Sequence, residues 1–469
     1  MSIEYFDIQA LNRSTTGTFS YDSGSPVLQF AVGDVEKYLI GNSLRLSFDF
    51  KVFNTNGTQV STAEEVGISS SCGVHSMIQQ LDISSYKSNL MLESIRNYGR
   101  MVSTLYNAGF ADDSELLDKG THEGVCQSQR WNNQNVGIKT SSMTSSSNYS
   151  IPLYSGLLMS QPVYLGANGL RGLKININLA PSSNVIHRLT GSATYTYEIS
   201  NVKLIGQYYN PTDEEFSAGR IKSSFISSYE GVMKGQGMRP SAEELETAWT
   251  EVVDMGGMGT PPYEYYSITS YVDSLNSNQS SHSLNLGLSQ VRSVFMNFIP
   301  SSYINNFAYD GMVCRNFEDS SGVLAPITNF KTSRAGVLFP SRFDITTNAD
   351  GQMTSYTTND RRSPIYQGLV NAVKVFYENH YQSGSYKNVI DSRRAFFGLD
   401  GGDKMASKTQ GLGVNFSNVS NVGVDFSFSP FQFEIQTKIA NAPVNHTIYI
   451  FAINKNTLVF QDNNVRVLN

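Results

Sequence analysis

From Leu44 to Val52 apolar and polar residues alternate without a break. Leu44, Leu46, Phe48, Phe50 and Val52 share one side; Arg45, Ser47, Asp49 and Lys51 share the other. A period of two is that of a strand with one buried and one wet face. Asn54 to Gly57 then reads as the turn that ends it. Leu173, Ile175, Ile177 and Leu179 repeat the pattern, with Lys174, Asn176 and Asn178 opposite and Pro181 as the stop. A strand pair is predicted across 194–199 and 202–208. In the second half strand patterns cover 263–272, 283–288, 291–299, 336–345, 369–376, 422–435, 446–453 and 457–467. Pro430 interrupts the one at 422–435, which points to an edge or a bulge there.

Two stretches differ. Over 83–118, Leu90, Leu92, Ile95, Tyr98, Met101, Val102 and Leu105 recur mostly at three and four residues, which predicts an amphipathic helix inserted between strands. Between 120 and 150 the chain is polar, with a Ser/Thr-rich run at 141–147, and reads as a long surface loop. Near 210 the character changes again. Asn210-Pro211 breaks the strand, and Ser241 with Glu244 three residues on forms a capping box for a short helix. The Gly/Pro-rich run Met255–Pro262 is a linker. The segments 44–52 and 291–299 sit at similar places in the two halves. So do the strand pairs that close each half, which suggests duplicated units. The expected fold is all-β: two tandem jelly-roll sandwiches with short helices inserted in loops. The first roll would span 1–210, a linker with a short helix 211–262, and the second roll 263–469.

Length agrees, because 469 residues exceed what one ordinary core holds. Charged residues are only 16% against roughly 25% in typical soluble domains. Lys and Arg number 34 and Asp and Glu 40, a net charge of −6 without the basic arm of a chain that wraps nucleic acid alone. The first residues, Met1 to Tyr5, lack the basic and apolar regions of a signal peptide, and no run of ~18 apolar residues would span a membrane. Three cysteines, Cys72, Cys126 and Cys314, are widely spaced and odd in number, which fits a reducing compartment.

Local chemistry is sparse. The six histidines form no HxH, HExxH or HxxxH, and there is no CxxC, nucleophile elbow or phosphate loop. His122-Glu123 near Cys126 comes nearest to a ligand cluster and reads as a polar loop. The carboxylate pairs Asp112-Asp113, Glu214-Glu215 and Glu243-Glu244 read as solvated turns or helix N-terminal charge. Arg361-Arg362 and Arg393-Arg394 read as ordinary loop salt bridges, since phosphate binding normally needs a larger patch; the alternative is contact with nucleic acid inside a shell or with an acidic neighbour. Tyr208-Tyr209 and Tyr263, Tyr265 and Tyr266 read as interface or core residues; the alternative is a stacking platform for bases or sugars. No catalytic, cofactor-binding or metal residue is assigned, and no cofactor. The rival function is a carbohydrate-binding or glycoside-cleaving β-sandwich, which needs two carboxylates about 5–10 Å apart across a cleft.

Several stretches carry a resemblance to a known family. They are Leu28 to Val32, Asn42 to Phe50, Gly73 to Ile83 with Leu92 to Tyr98, Ile151 to Gly156 leading into Leu173 to Ala180, and Tyr197 to Leu204. On these the chain resembles the double jelly-roll major capsid proteins of tailless double-stranded DNA viruses, of the virophage and polinton-like type. The resemblance covers the first half well; the second matches only in strand order and in its start at 291–299. It implies a structural, non-enzymatic protein of an icosahedral virion, assembled inside the infected cell. Three chains would form a pseudo-hexagonal capsomer that contacts neighbouring capsomers, penton and minor capsid proteins. No sequence-specific nucleic-acid binding is implied.

Overall fold

The computed structural model describes, apart from short breaks, residues 2–109, 147–210, 263–312, 327–344, 364–378, 411–437 and 445–468. It also describes 240–245 and the single positions Glu123, Met233 and Ala248. The first half carries strands β1 (Ser2–Gln9), β2 (Thr18–Phe19), β3 (Val27–Val32), β4 (Tyr38–Asn54), β5 (Val66–Ile68), β6 (Ile78–Ser85), β7 (Met91–Arg96), β8 (Ser147–Pro152), β9 (Val163–Tyr164), β10 (Leu173–Leu179), β11 (Ile186–Arg188) and β12 (Tyr195–Asn210). The second carries β13 (Tyr263–Leu275), β14 (Gln279–Leu284), β15 (Val291–Pro300), β16 (Ile327–Arg334), β17 (Val337–Asp344), β18 (Gly411–Asn415), β19 (Phe431–Thr437), β20 (His446–Gln461) and β21 (Asn464–Leu468). The helices are α1 (Tyr98–Gly109), α2 (Gly156–Met159), α3 (Ser182–Val185) and α4 (Pro364–Glu378).

The two halves repeat one topology. The first has one sheet in the order β1-β12-β4-β8 and another in the order β3-β10-β6-β7. The second has β13-β20-β15-β18 and β14-β19-β16-β17. Counting the main strands of each half in chain order, both give the same two sheets, and every pairing within them is antiparallel. That is a jelly roll, made twice. The matched segments 44–52 and 291–299 lie in β4 and β15, which hold the same place in the two rolls. A long helix also follows the same strand in each: α1 follows β7, and α4 follows β17.

Alternation makes the core. In β4 and β10 every second residue is buried, including Leu44, Leu46, Phe48, Phe50, Leu173, Ile175 and Ile177. One hydrophobic cluster runs through both rolls. β15 departs from alternation and is buried on nearly every residue, because helix α4 covers the side that β4 leaves partly wet.

Several expectations are corrected. The stretch 83–118 is not one helix: β6 ends at Ser85, β7 occupies Met91–Arg96, and α1 starts only at Tyr98. Asn97, at φ 55, turns the chain between strand and helix. The run 369–376 is helical, inside α4, not a strand. Its apolar residues face two neighbours, β18 and α1, so the helical period is filled in on both sides. Gly411 and Gly413 let α4 come close: a Cβ on Gly413 would lie 2.8 Å from the Cα of Leu369.

The pair 194–199 and 202–208 is one strand, β12. Asn201, at φ 52, makes a bulge between Ser200 and Lys203 that looks like a turn in sequence. Likewise 446–453 and the start of 457–467 form one strand, β20, and the remainder is β21. The expected strand at 283–288 ends at Leu284. At 422–435 only Phe431–Thr437 is a strand; Val424 makes a single bridge to Val291, and Phe428 is 96% exposed. The capping box holds: the Ser241 amide donates to Glu244 Oε2 (2.6 Å), and the Glu244 amide to Ser241 Oγ (3.3 Å). That pair holds the Glu244 carboxyl below the usual range. No described helix is long and apolar enough to cross a membrane.

Candidate functional site

Among the described residues, dense polar chemistry is buried where the rolls meet. β7 is the outer strand of its sheet, and its exposed edge would be a template for pairing. β13 of the second roll lies along it and caps it with side chains. Tyr265 OH donates to the Leu92 carbonyl (2.6 Å), and Ser270 Oγ donates to the Arg96 carbonyl (2.8 Å). Next to this edge, Glu93 turns its carboxylate inward, 3% exposed. Oε2 accepts from Ser155 Oγ (2.5 Å) and the Leu157 amide (3.1 Å). Oε1 accepts from the Gly156 amide (3.1 Å) and, across the seam, from the Ile268 amide of β13 (2.9 Å).

Ser155 caps α2, so the carboxylate sits at the first turn of that short helix, where amides point outward. Burial pushes the Glu93 carboxyl up, and the four donors pull against that. The backbone is equally close: a Cβ on Gly156 would fall 1.2 Å from the Tyr266 carbonyl oxygen. Further ties follow. Tyr263 OH bonds Ser160 Oγ (2.6 Å) and donates to the Leu157 carbonyl (3.2 Å). Ser103 Oγ donates to the Met312 carbonyl (3.0 Å), and Asn297 Nδ2 to Thr104 Oγ1 (3.1 Å). Helices α1 and α4 pack on each other across the same join. Tyr263 and Tyr265 are thus seam residues, and burial pushes both hydroxyls up, so they act as neutral donors. This favours the interface reading of the tyrosines over a stacking platform.

Behind α1 lies a second buried group. His75 Nε2 is 2.9 Å from Glu123 Oε2 and 3.1 Å from Tyr106 OH. Tyr106 OH donates to Glu123, and its oxygen lies 3.3 Å from Tyr154 OH. His75 is fully buried and Glu123 3% exposed, so the polar-loop reading of Glu123 is corrected: its carboxylate is interior and paired. Desolvation pushes the hydroxyls of Tyr106 and Tyr154 well up. The group ties the chain at Glu123 to the first roll.

A third constellation has the distances of a nucleophile relay. Asp273 Oδ2 is 2.7 Å from His282 Nδ1, and His282 Nε2 is 2.8 Å from Ser280 Oγ. The imidazole is stacked on Phe433 (4.6 Å, 12°) and is 8% exposed, with no described cleft around Ser280. The three side chains tie β14 to β13.

The described cleft of note is at the seam, about 320 Å3 in volume. Asn97, Arg100 and Asn184 line it from the first roll, and Asn305, Met312 and Tyr449 from the second. Its described lining contains no carboxylate, so it offers no pair for glycoside cleavage. Among the described residues no group of three His, Cys, Asp or Glu could hold a metal. Cys72 is buried. His122, Cys126, Cys314, Asp112-Asp113, Glu214-Glu215, Arg361-Arg362 and Arg393-Arg394 lie outside the described residues.

Two like jelly rolls in one chain define a double jelly-roll protein. No family model matches the sequence, and no curated protein matches it. Solved structures do. The chain is similar to VP54 of PBCV-1, as fitted into a reconstruction of the virophage Sputnik: TM-score 0.52, 10% identity, covering 100% of this chain and 97% of that one. It is similar to a chain of the Sputnik virophage structure: TM-score 0.51, 10% identity, 100% and 88% covered. It is also similar to the Faustovirus major capsid protein: TM-score 0.50, 10% identity, 98% and 91% covered. At such identity the likeness is one of fold, and it extends over both rolls.

Proposed function

We propose that this chain is the major capsid protein of an icosahedral virion, a structural protein and not an enzyme. Three copies form a pseudo-hexagonal capsomer in which the two rolls of each chain supply six upright towers. The chain divides at 1–210 and 263–469, with 211–262 joining the rolls. Neighbouring capsomers, penton and minor capsid proteins are its partners, and the virion, assembled in the infected cell, is its place. A polinton-like or virophage lineage fits the same reading.

One observation carries this: the two rolls have the same strand order and are locked by a buried seam. A six-fold outline from three chains needs two like units per chain held rigidly side by side. Exposed apolar side chains on the lone chain support assembly: Ile3 and Tyr5 on β1, and Val337, Leu338 and Phe428 on the second roll. Contact between copies would cover such residues. The test is size analysis with electron microscopy of the purified chain. Stable trimers of hexagonal outline, or shell-like particles, are expected. A monomer that persists at high concentration would overturn the proposal.

A further inference from the structure

The seam cleft holds an arginine in a setting that three separate physical effects disfavour. Arg100 is 3% exposed. Its two terminal guanidinium nitrogens are buried and have no hydrogen-bond partner, and no described carboxylate pairs with it. It also lies in the first turn of α1, where the helix dipole is positive and repels a cation. A buried, unpaired charge is costly, and a helix N-terminus makes it more so. The one visible compensation is Tyr449, whose ring centre is 4.2 Å from the guanidinium carbon.

An anion in the cleft resolves all three effects at once. Asn97, which starts α1, and Arg100 both line it. The Asn97 side-chain oxygen accepts from Gln79 Nε2 (3.1 Å), which leaves the Asn97 amide nitrogen as a donor. Asn305 lines the cleft from the other roll, its backbone amide already donated to Asn184 Oδ1 (3.0 Å). The described lining is free of carboxylates that would repel a negative ligand.

We propose that this cleft binds a small inorganic oxyanion of phosphate or sulfate size, gripped by Arg100 and Asn97 at the start of α1. The guanidinium fork suits two parallel bonds to such an oxyanion. Because both rolls line the cleft, the bound anion stiffens the seam. The terminal nitrogens are closed to bulk water, so the Arg100 side chain must turn toward the cleft to meet the anion.

The test titrates the full chain with inorganic phosphate, and separately with sulfate, against chloride at equal ionic strength. Calorimetry should show one saturable site per chain, and the melting temperature should rise with phosphate but not with chloride. Arg100→Gln should weaken phosphate binding by at least about tenfold. Arg100→Met should lose the phosphate-dependent shift and, in phosphate-free buffer, melt no lower than the unaltered chain. Should Arg100→Met fail to fold, Arg100→Lys keeps the charge without the fork and should bind at least severalfold more weakly. Absence of saturable phosphate or sulfate binding by the unaltered chain would overturn the proposal. So would an equal melting shift in chloride, or unchanged phosphate affinity in Arg100→Gln.

Discussion

The Glu93 carboxylate and the Ile268 amide meet at 2.9 Å across the join of the two rolls, although 175 positions separate them in the chain. Three more donors, all from 155–157, converge on the same carboxylate. Strand β7, helix α2 and strand β13 are therefore fixed on one side chain. Removing it leaves buried amides without an acceptor, which is more costly than the bonds themselves. Glu93→Ala is expected to lower stability by about 3 kcal/mol in denaturant unfolding. A loss under about 1 kcal/mol would mean that apolar contacts alone hold the seam.

The pH dependence of the same group has a defined sign. Burial raises its pKa in the folded chain above the ordinary value of 4.5. The folded state then holds the proton to higher pH than the unfolded state does. The contribution to stability is full below pH 4.5 and is lost as pH rises through the folded value. Glu93→Gln removes this titration, so its stability should vary less with pH from 4.5 upward. Urea unfolding at a series of pH values checks this; parallel curves for the two chains would contradict it.

Gly156 has no space for a side chain, since its added Cβ would overlap the Tyr266 carbonyl of the other roll. Gly156→Ala should push α2 away from β13 and cost about 3 kcal/mol or more, or prevent recovery of soluble chain. Gly33→Ala is the control: nothing lies within 4 Å of its added Cβ. Its melting temperature should stay close to that of the unaltered chain.

The edge of β7 provides a milder perturbation. Tyr265→Phe deletes the hydroxyl that caps the Leu92 carbonyl and keeps the ring. A loss of about 1–2 kcal/mol is expected, measured by thermal unfolding. Combined with Glu93→Ala in a double-mutant cycle, the two effects should be non-additive, since both act on one join. Strict additivity would mean that the two contacts are independent.

The strands with one wet face were legible in sequence. β10 keeps the bounds its alternation gives, whereas β4 alternates over 44–52 but runs on from Tyr38 to Asn54. Legibility failed where an element is covered on two sides. Helix α4 lies between β18 and α1, so Leu369, Val370, Ala372, Val373, Val375 and Phe376 are all buried, and the run reads equally well as a strand. It also failed where a bulge imitates a turn, as at Asn201 in β12. The functional residues left weaker traces still. Glu93 sits in a stretch with helical spacing, where a carboxylate looks solvent-facing, and its partners come from other elements. Glu123 meets His75 from 48 positions away, and nothing in the local pattern links them. Tandem duplication was visible in part because β4 and β15 both start from a recognisable apolar pattern. Elsewhere in the second roll the patterns at 263–272, 336–345 and 446–453 fall on β13, β17 and β20.

We propose that the two like rolls of one chain serve a three-chain capsomer. Sedimentation of the purified full chain over a wide concentration range, with electron microscopy of the main species, tests it most directly. A stable species of three chains with a hexagonal outline is expected. A single chain that stays monomeric at the highest concentrations would contradict the account.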